Sequence, residues 1–402
     1  MKDKIIFLIN SPYPHYTGGR ETWIYEATNK LLEKYDIDII SKHQYQYDVK
    51  DGEFVNIDER IKIFPAKNLK SYKWSAKLLR SVTVYFNEII LAKNMYRIAK
   101  QRINDEQKTY IVAMDSVFTP LVWIYGKKVF KHAYKIISFR GKHLEIYASY
   151  WPIMAKQLEK IEKRNLEKTD FLWVNGYDTK EYVENKGYDC KIIYNGVDCN
   201  KIMAAVPDKN EVEKISKWHP QLFTVGSLLD LKGYPEMIQC VALLKEKYQM
   251  DVHLVSYGKG ETTRYKALAS ELNVSENIHF MGELRGAACL AKQADIAIVL
   301  GSSEGAGMSM AALELLASGT PVIAWDNVCY QQLICNGENG VLIPEGKVEQ
   351  LAEKIAQMLG EKEQYKKLGI NAQQKVWDND WSNVIRMIEC ALNEYAGEER
   401  KC

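Results

Sequence analysis

The sequence predicts an α/β protein built from two domains of parallel sheet and helix. Its 402 residues are enough for two domains of ordinary size, each with its own core. Residues 296–325 read as a short apolar strand, a glycine-punctuated loop, a helix-length segment ending at Gly-Thr-Pro, and a second apolar strand. A further series of strands and helices begins at Gln221. These observations indicate repeated βαβ units, which bind ligands at the carboxyl ends of their strands.

Composition and charge exclude several classes of protein. The 54 basic and 52 acidic residues leave a net charge of +2, so we expect no nucleic-acid partner. The eight cysteines show no zinc-binding spacing, and we interpret them as reduced thiols. The apolar run at the N-terminus is too short for a signal peptide, and no apolar stretch reaches the ~18 residues of a membrane span. The sequence therefore predicts a cytoplasmic protein, at most peripheral at the inner face of a membrane.

The first half of the chain shows the pattern of one parallel sheet. Strands are predicted at 4–10, 36–41, 110–114, 135–139 and 171–175, with helices at 21–34 and 152–168. The Gly18-Gly19 pair between the first strand and helix exposes backbone amides that suit a phosphate or a sugar. Asp36-Ile-Asp38 has the spacing of a metal-binding Asp-x-Asp. Both carboxylates fall at the start of a strand, so we predict surface residues and no metal site.

Residues 61–110 form a basic segment. Eleven Lys or Arg stand against three acidic residues, and Trp74, Tyr85 and Phe86 are interleaved with them. One interpretation is an interfacial helix that attracts anionic lipid headgroups. The other is a solvated basic face over an ordinary core helix.

The second half repeats the α/β pattern after a polar, helix-prone stretch at 200–219. Strands are predicted at 221–226, 252–255, 277–284, 296–300, 319–325 and 340–344, and helices at 234–247, 261–272, 308–318, 348–358 and 377–395.

One helix in this half carries a lone charge. Between Met308 and Ala317 the only charged residue is Glu314. An unpartnered buried carboxylate costs several kcal/mol, roughly, so Glu314 is predicted to lie at an exposed mouth or to bind a ligand. Gly305 and Gly307 precede the helix, where a backbone without side chains and free N–H groups favour an anionic ligand.

These motifs resemble those of retaining glycosyltransferase family 4. The acidic motif reads Glu304-Gly-Ala-Gly, Glu314 and Ala317-Ser-Gly-Thr-Pro-Val322, and Asn195-Gly-Val-Asp198 matches the segment that ends the first domain in this family. There are three departures. Nine residues instead of seven separate the two glutamates, Ser227 stands in place of an arginine, and Arg140 stands in place of a histidine, with His143 three residues on.

The resemblance implies the GT-B architecture, in which two doubly wound Rossmann-like domains face each other across a cleft. Residues 1–198 would bind the acceptor, residues 199–376 would bind the nucleotide-sugar donor, and a terminal helix in 377–402 would cross back to the first domain. The implied activity is metal-independent, retaining transfer of a hexose-like unit from a UDP- or GDP-type donor to a saccharide or lipid-linked saccharide. Surface polysaccharide or glycolipid biosynthesis is the implied setting, and no cofactor is implied.

The resemblance also implies roles for individual residues. Lys232 would neutralise the leaving diphosphate, helped by the Ser227 hydroxyl, by the amides of 305–308 and by Gly18-Gly19. Glu314 would hold the ribose hydroxyls, and Glu304 would hydrogen-bond the donor sugar.

Two further positions follow from the same comparison. Main-chain groups at Glu283-Leu284 would read the base. Arg140 or His143 would stand beside the transferring sugar.

Two alternatives stay open. A sugar-nucleotide epimerase shares the architecture, and it would act on donor without acceptor. An inactive partner subunit would keep the fold and lack the chemistry, as Ser227, Arg140 and the nine-residue spacing suggest. Hydrolysis of a nucleotide sugar would contradict that second alternative.

Overall fold

The computed structural model describes residues 2–13, 19–43, 57–68, 77–302 and 308–397, with side chains in the second helix described from Val82 onward. Glu304, Gly305, Gly307 and Gly18 therefore lie outside the described residues. The chain divides into two units, residues 1–194 with 384–402 and residues 195–383.

Unit 1 contains a seven-stranded sheet in which the paired strands run parallel. Its strands are β1 Asp3–Pro12, β2 Tyr35–Lys42, β3 Lys62–Ala66, β4 Thr109–Ala113, β5 Ala133–Phe139, β6 Phe171–Val174 and β7 Lys191–Ile192. The spatial order is β3-β2-β1-β4-β5-β6-β7, so the direction of winding reverses between β1 and β4. Such a switch point opens a crevice at the carboxyl ends of the two strands.

The helices of unit 1 are α1 Gly19–Leu31, α2 Lys77–Arg102, α3 Leu121–Tyr125, α4 His143–Tyr150, α5 Ala155–Leu166 and α6 Tyr177–Glu184. Helices cover both faces of a doubly wound sheet, which explains the continuous apolar run of β1, where residues 5–9 are at most 1% exposed. Aromatic rings join α2 to the end of α4, where Tyr85 lies edge-on to Trp151 at 6.3 Å, and Phe118 from the loop after β4 packs edge-on against Tyr147 at 5.1 Å.

The expectation that Asp36 and Asp38 are both surface residues is wrong for Asp38. Its side chain is 2% exposed and pairs with the Nε of Arg102 at 2.9 Å and the Nζ of Lys4 at 3.8 Å. Two cations from distant parts of the chain offset the cost of burying this carboxylate. Asp36 is exposed and accepts a hydrogen bond from Gln107.

Unit 2 contains a six-stranded parallel sheet. Its strands are β8 Gln221–Val225, β9 His253–Tyr257, β10 Ile278–Phe280, β11 Ile296–Val299, β12 Val322–Asp326 and β13 Val341–Pro344. The spatial order is β10-β9-β8-β11-β12-β13, and the winding reverses between β8 and β11.

The helices of unit 2 lie before, between and after its strands along the chain. They are α7 Cys199–Ala204, α8 Lys209–Ile215, α9 Tyr234–Tyr248, α10 Thr263–Glu271, α11 Met310–Ser318, α12 Val328–Gln331, α13 Val348–Gly360 and α14 Lys362–Lys375. Helix α11 is buried along most of its length, as its apolar sequence predicts. It ends at Gly319, whose φ of 82° lies in the left-handed region that glycine tolerates.

The terminal helix α15, Trp381–Tyr395, begins in unit 2 and continues into unit 1. Within unit 1 the Tyr110 hydroxyl donates to the Leu392 carbonyl at 3.1 Å, and the Trp173 Nε1 donates to the Tyr395 hydroxyl at 3.1 Å. Cys390 on this helix is disulfide-bonded, which corrects the expectation that all the cysteines are reduced. Sequence spacing could not show this, because disulfide connectivity depends on the fold.

No helix in the described ranges is long and apolar enough to cross a membrane.

Candidate functional site

The carboxyl edge of the unit 2 sheet is built by loops that pack backbone against backbone. After β8, the Gly226 N–H donates to the Tyr257 carbonyl at 3.0 Å, and the Leu228 N–H donates to the Lys259 carbonyl at 2.8 Å. A Cβ atom at Gly258 would lie 1.7 Å from the Gly226 oxygen, so this position has no room for a side chain. The loops after β8 and β9 therefore form one continuous edge.

Lys232 lies in the loop between β8 and α9, at the end of a 3₁₀ turn over Asp230–Lys232. Its side chain is half-buried, and burial lowers the pKa of its ammonium group. The next residue, Gly233, has φ 79°, and a Cβ there would lie 2.4 Å from the Leu300 Cβ. The Ser302 N–H donates to the Leu231 carbonyl at 2.9 Å. Lys232 thus lies at the switch point, where the loops after β8 and β11 meet.

The loop after β11 is anchored by side chains that follow β12. The Gly301 N–H donates to the Tyr330 hydroxyl at 2.9 Å, and Asn327 Nδ2 donates to the Gly301 carbonyl at 3.1 Å. Sequence reasoning missed both anchors. The available signal was Asn327 at the N-cap of α12, where its side chain accepts from the Cys329 N–H.

Glu314 lies in α11, the helix that follows this loop. The N-cap residue Ser309 accepts a hydrogen bond from the Ala312 N–H at 3.3 Å, which sets the start of the helix two residues later than the sequence predicts. Glu314 is half-buried and has no hydrogen-bonding partner among the described residues. Burial raises the pKa of its carboxyl group to about 7, an effect that the Lys201 ammonium partly opposes. Lys232 and Glu314 therefore follow the two neighbouring strands β8 and β11, and their side chains form no ion pair with each other.

Two other residues that were predicted to bind the donor follow strands of the same sheet. Ser227 is exposed in the loop after β8. Leu284 is 39% exposed and follows β10, two strands away from β8. Glu304, Gly305 and Gly307 belong to the segment outside the described residues, so their roles stay predictions, as does the base-reading role of Leu284.

At the start of α11 the Asn195 Nδ2 donates to the Met308 carbonyl at 2.6 Å. This contact places the Asn-Gly-Val-Asp segment next to the start of α11. The turn signal in the sequence did not predict that position.

The carboxyl edge of the unit 1 sheet holds a partly buried polar network around Arg20, the second residue of α1. Its guanidinium donates to Asn10 Oδ1 at 3.0 Å, to Glu21 Oε1 at 2.9 Å and to Ser11 Oγ at 3.2 Å. Gly19 is the first residue of α1 and lies beside this network in the sequence. Asn10 Nδ2 donates in turn to the Tyr147 hydroxyl at 2.6 Å.

Two further carboxylates complete this edge. The Lys42 ammonium, at the end of β2, donates to Glu88 Oε1 at 3.0 Å. Asp115, just after β4, accepts from the backbone N–H groups of residues 117, 118 and 119 at 2.8, 2.7 and 3.1 Å. Sequence reasoning singled out none of these residues, because they come from segments that are far apart in the chain.

Arg140 and His143, which were both predicted to stand beside the transferring sugar, lie in different environments. The Arg140 guanidinium lies 3.7 Å from the centre of the Trp23 ring, and its Nη1 donates to the Ile193 carbonyl at 2.9 Å. His143 begins α4 and is 7% exposed, and burial lowers the pKa of its imidazole to about 4. His143 Nδ1 is buried and has no hydrogen-bond partner within the described part of the chain. His143 lies within electrostatic range of Asp115, Arg20 and Glu21, whereas Arg140 is held by Trp23 and the Ile193 carbonyl inside unit 1.

Across the described ranges, no three side chains of His, Cys, Asp or Glu come together as a metal site.

Comparison with known proteins identifies the second half of the chain. Residues 206–375 match the family model of glycosyl transferases group 1. These residues form a glycosyl transferases group 1 domain. It contains the β8 and β11 loops, Lys232 and Glu314.

Relatives extend the likeness over nearly the whole chain. An uncharacterised glycosyltransferase of Methanocaldococcus jannaschii is 25% identical over 96% of this chain and 97% of its own length. The O-antigen biosynthesis glycosyltransferase WbnH of Escherichia coli is 23% identical over 92% of this chain and 95% of its own length. The crystal structure of Anabaena HepE in complex with UDP and glucose superposes with a TM-score of 0.73, at 16% identity, over 98% of this chain and 100% of HepE. The GT-B fold expected from the sequence is confirmed.

Proposed function

We propose that this protein is a retaining family 4 glycosyltransferase that moves a hexose-like unit from a UDP- or GDP-type donor to a saccharide or lipid-linked saccharide. The observation that carries the proposal is that Lys232 follows β8 and Glu314 follows β11, the two strands at the switch point of the group 1 domain. Glu314 is a half-buried carboxylate without a hydrogen-bonding partner among the described residues, in a helix with no other charge. Burying a carboxylate without a hydrogen bond costs free energy, so this arrangement indicates a ligand that donates hydrogen bonds to Glu314, such as the two ribose hydroxyls.

The chemistry requires neutralisation of a leaving group. Transfer breaks the bond between the sugar C1 and a diphosphate oxygen, which keeps the electron pair, and forms a bond from C1 to the acceptor oxygen. The acceptor proton passes to the departing phosphate. Lys232 is placed to stabilise the developing negative charge without a metal, because a preorganised cation in a partly water-excluded site acts strongly on such charge. The Ser227 hydroxyl and the 305–308 amides are proposed to assist.

The relatives support this choice of substrates. HepE was solved with UDP and glucose, and WbnH is described as an O-antigen biosynthesis enzyme. We propose a nucleotide-hexose donor for unit 2 and an acceptor from surface polysaccharide or glycolipid synthesis for unit 1.

The exposed face of α2 supports a lipid-linked acceptor. Val82, Phe86, Lys93, Arg97 and Lys100 are all exposed, and their spacing places them on one face of the helix. On this face the apolar residues Val82 and Phe86 come first along the helix, and the three basic residues follow them. We propose that this face meets an anionic membrane surface, where an aromatic ring inserts and basic side chains attract headgroups.

A thermal-shift screen of UDP, GDP and their sugars, followed by a transfer assay, tests the proposal. We expect stabilisation by one nucleotide family, and slow hydrolysis of its sugar without acceptor. Interconversion of the donor without acceptor would instead indicate the epimerase, and absence of both binding and hydrolysis would indicate the inactive subunit. Glu304→Ala should mainly lower turnover, whereas Glu314→Ala should mainly weaken nucleotide binding.

A further inference from the structure

We propose that Glu88 binds a hydroxyl group of the acceptor, and that the acceptor subsite of unit 1 takes an uncharged saccharide in preference to an anionic one. This inference rests on the proposed function, because it assigns the acceptor to the carboxyl edge of unit 1.

Glu88 is a buried carboxylate with one oxygen that is not hydrogen-bonded. Its side chain projects from α2 and the residue is 6% exposed. Oε1 accepts from the Lys42 ammonium at 3.0 Å, and Lys42 is the last residue of β2, so the carboxylate lies at the carboxyl edge of the sheet. Oε2 is buried and makes no hydrogen bond of standard geometry in the described portion of the chain, although the Asn10 amide is close enough to lower the pKa of the Glu88 carboxyl group. Buried carboxylate oxygens are nearly always satisfied, so an unsatisfied one indicates a missing donor.

The surrounding groups already have their partners. Arg20 is held by Asn10, Ser11 and Glu21, and the three N–H groups of residues 117–119 occupy both oxygens of Asp115. Glu88 Oε2 and His143 Nδ1 are unsatisfied among the described residues, as are the Ser41 hydroxyl of β2 and the Asn87 Oδ1 of α2; of these, Glu88 Oε2 belongs to a group that can carry charge and only accepts when ionised.

These groups form one electrostatic neighbourhood. Burial raises the pKa of the Glu88 carboxyl group, which the Lys42 ammonium opposes, and burial lowers the pKa of the His143 imidazole; the charge of Asp115 acts on both groups. The Tyr147 hydroxyl, which accepts from Asn10, lies within range of the charge of Glu88. This edge includes the switch point between β1 and β4, where a doubly wound sheet binds its ligand.

The chemistry of the unused groups selects the class of ligand. A carboxylate oxygen only accepts hydrogen bonds, and a sugar hydroxyl donates one. A phosphate or carboxylate on the ligand would instead be repelled by Glu88 and Asp115. The cations Lys42 and Arg20 are each matched by a glutamate, Glu88 and Glu21, so neither offers an unmatched charge to an anion.

The test measures saccharide binding by saturation-transfer NMR titration of the full-length protein. The neutral probes are the methyl α-glycosides of glucose, mannose, galactose and N-acetylglucosamine, and the anionic probes are glucose 6-phosphate and glucuronate. Glu88→Gln keeps the shape of the side chain and an oxygen for Lys42, but it removes the carboxylate charge. Glu88→Asp keeps the charge and withdraws it by one methylene group.

A matched control is available in the same unit. Glu162 is 0% exposed, but both of its oxygens are satisfied, by Ser116 at 2.5 Å, by Tyr182 at 2.9 Å and by Lys186 at 2.8 Å. Glu162→Gln should lower the melting temperature without changing saccharide binding. It therefore separates a loss of stability from a loss of the subsite.

We expect at least one neutral glycoside to bind the wild-type protein more tightly than either anionic probe, and to bind at least tenfold more weakly to both Glu88 variants. Binding of UDP or GDP sugars and donor hydrolysis should be unchanged in Glu162→Gln, which lies outside the proposed subsite. Equal glycoside binding in the Glu88 variants, tighter binding of the anionic probes, or no glycoside binding by the wild type would each overturn the inference. The nucleotide-sugar measurements report on the proposed function separately.

Discussion

At the scale of single residues, burial determines the titration of Glu314. Its carboxyl pKa rises from an ordinary value of 4.5 to about 7. The folded protein therefore holds a proton that the unfolded chain has lost between these two pH values. Stability falls as pH rises through this window and stays reduced above it.

Glu314→Gln should remove this penalty, because an amide carries no charge to bury. We expect the free energy of unfolding of the ligand-free protein at pH 8 to rise by about 1–3 kcal/mol, given ~1.4 kcal/mol for each unit of pKa shift. Denaturant unfolding at pH 5 and pH 8 measures the effect. Glu353→Gln, at an exposed position of α13, is the control and should change little. Equal stability of Glu314→Gln and the wild type at pH 8 would contradict the buried-carboxylate interpretation.

Lys232→Ala should lower turnover by roughly 10²–10³, the usual cost of removing one group that stabilises transition-state charge. The rate is measured with the nucleotide sugar that gives the largest thermal shift. Lys266→Ala, an exposed lysine on α10, is the control and should keep wild-type turnover. Unchanged turnover of Lys232→Ala would rule out its role at the diphosphate.

At the scale of elements, close packing of loops shapes the carboxyl edge of the unit 2 sheet. The loops after β8 and β9 touch through the backbone of Gly226 and Gly258, and those after β8 and β11 touch through Gly233 and Leu300. Each contact excludes a side chain, so the positions of Lys232 and Ser227 depend on neighbouring loops as well as on their own.

Gly258→Ala should therefore displace the loop that carries Lys232. Its Cβ would lie 1.7 Å from the Gly226 oxygen, and relief of such overpacking typically costs about 1–3 kcal/mol, occasionally more. We expect a lower melting temperature and weaker nucleotide binding by calorimetry. Gly360→Ala has nothing within 4 Å of its Cβ and should be close to neutral. If both variants behaved like the wild type, the loops would not be in tight contact.

At the scale of the whole molecule, a net charge of +2 conceals an uneven distribution. The exposed face of α2 presents Lys93, Arg97 and Lys100 beyond Val82 and Phe86. Charge of one sign next to exposed apolar side chains favours an anionic surface, and the attraction is screened by salt.

Vesicle sedimentation should show binding to phosphatidylglycerol and little binding to phosphatidylcholine. Binding should weaken between 0.1 M and 1 M salt, where the screening length falls from about 10 Å to about 3 Å. Replacing Lys93, Arg97 and Lys100 with Gln should abolish most of it. The matched control replaces Lys156, Lys160 and Lys163, which are exposed on α5, and should bind as the wild type does. Equal binding to neutral vesicles would leave only a solvated basic face.

The sequence by itself determined the α/β class, most strands, the burial of α11 and the location of Lys232 and Glu314 in a loop and a helix. These features depend on local periodicity, glycine and caps, which a single segment carries. Only the tertiary structure decided that Asp38 is buried, that Arg140 packs on Trp23 and that Glu88 meets Lys42. Each of these contacts joins residues far apart in the chain, 46 positions apart for Lys42 and Glu88. Local patterns carry no information about such partners, because the sheet order brings them together.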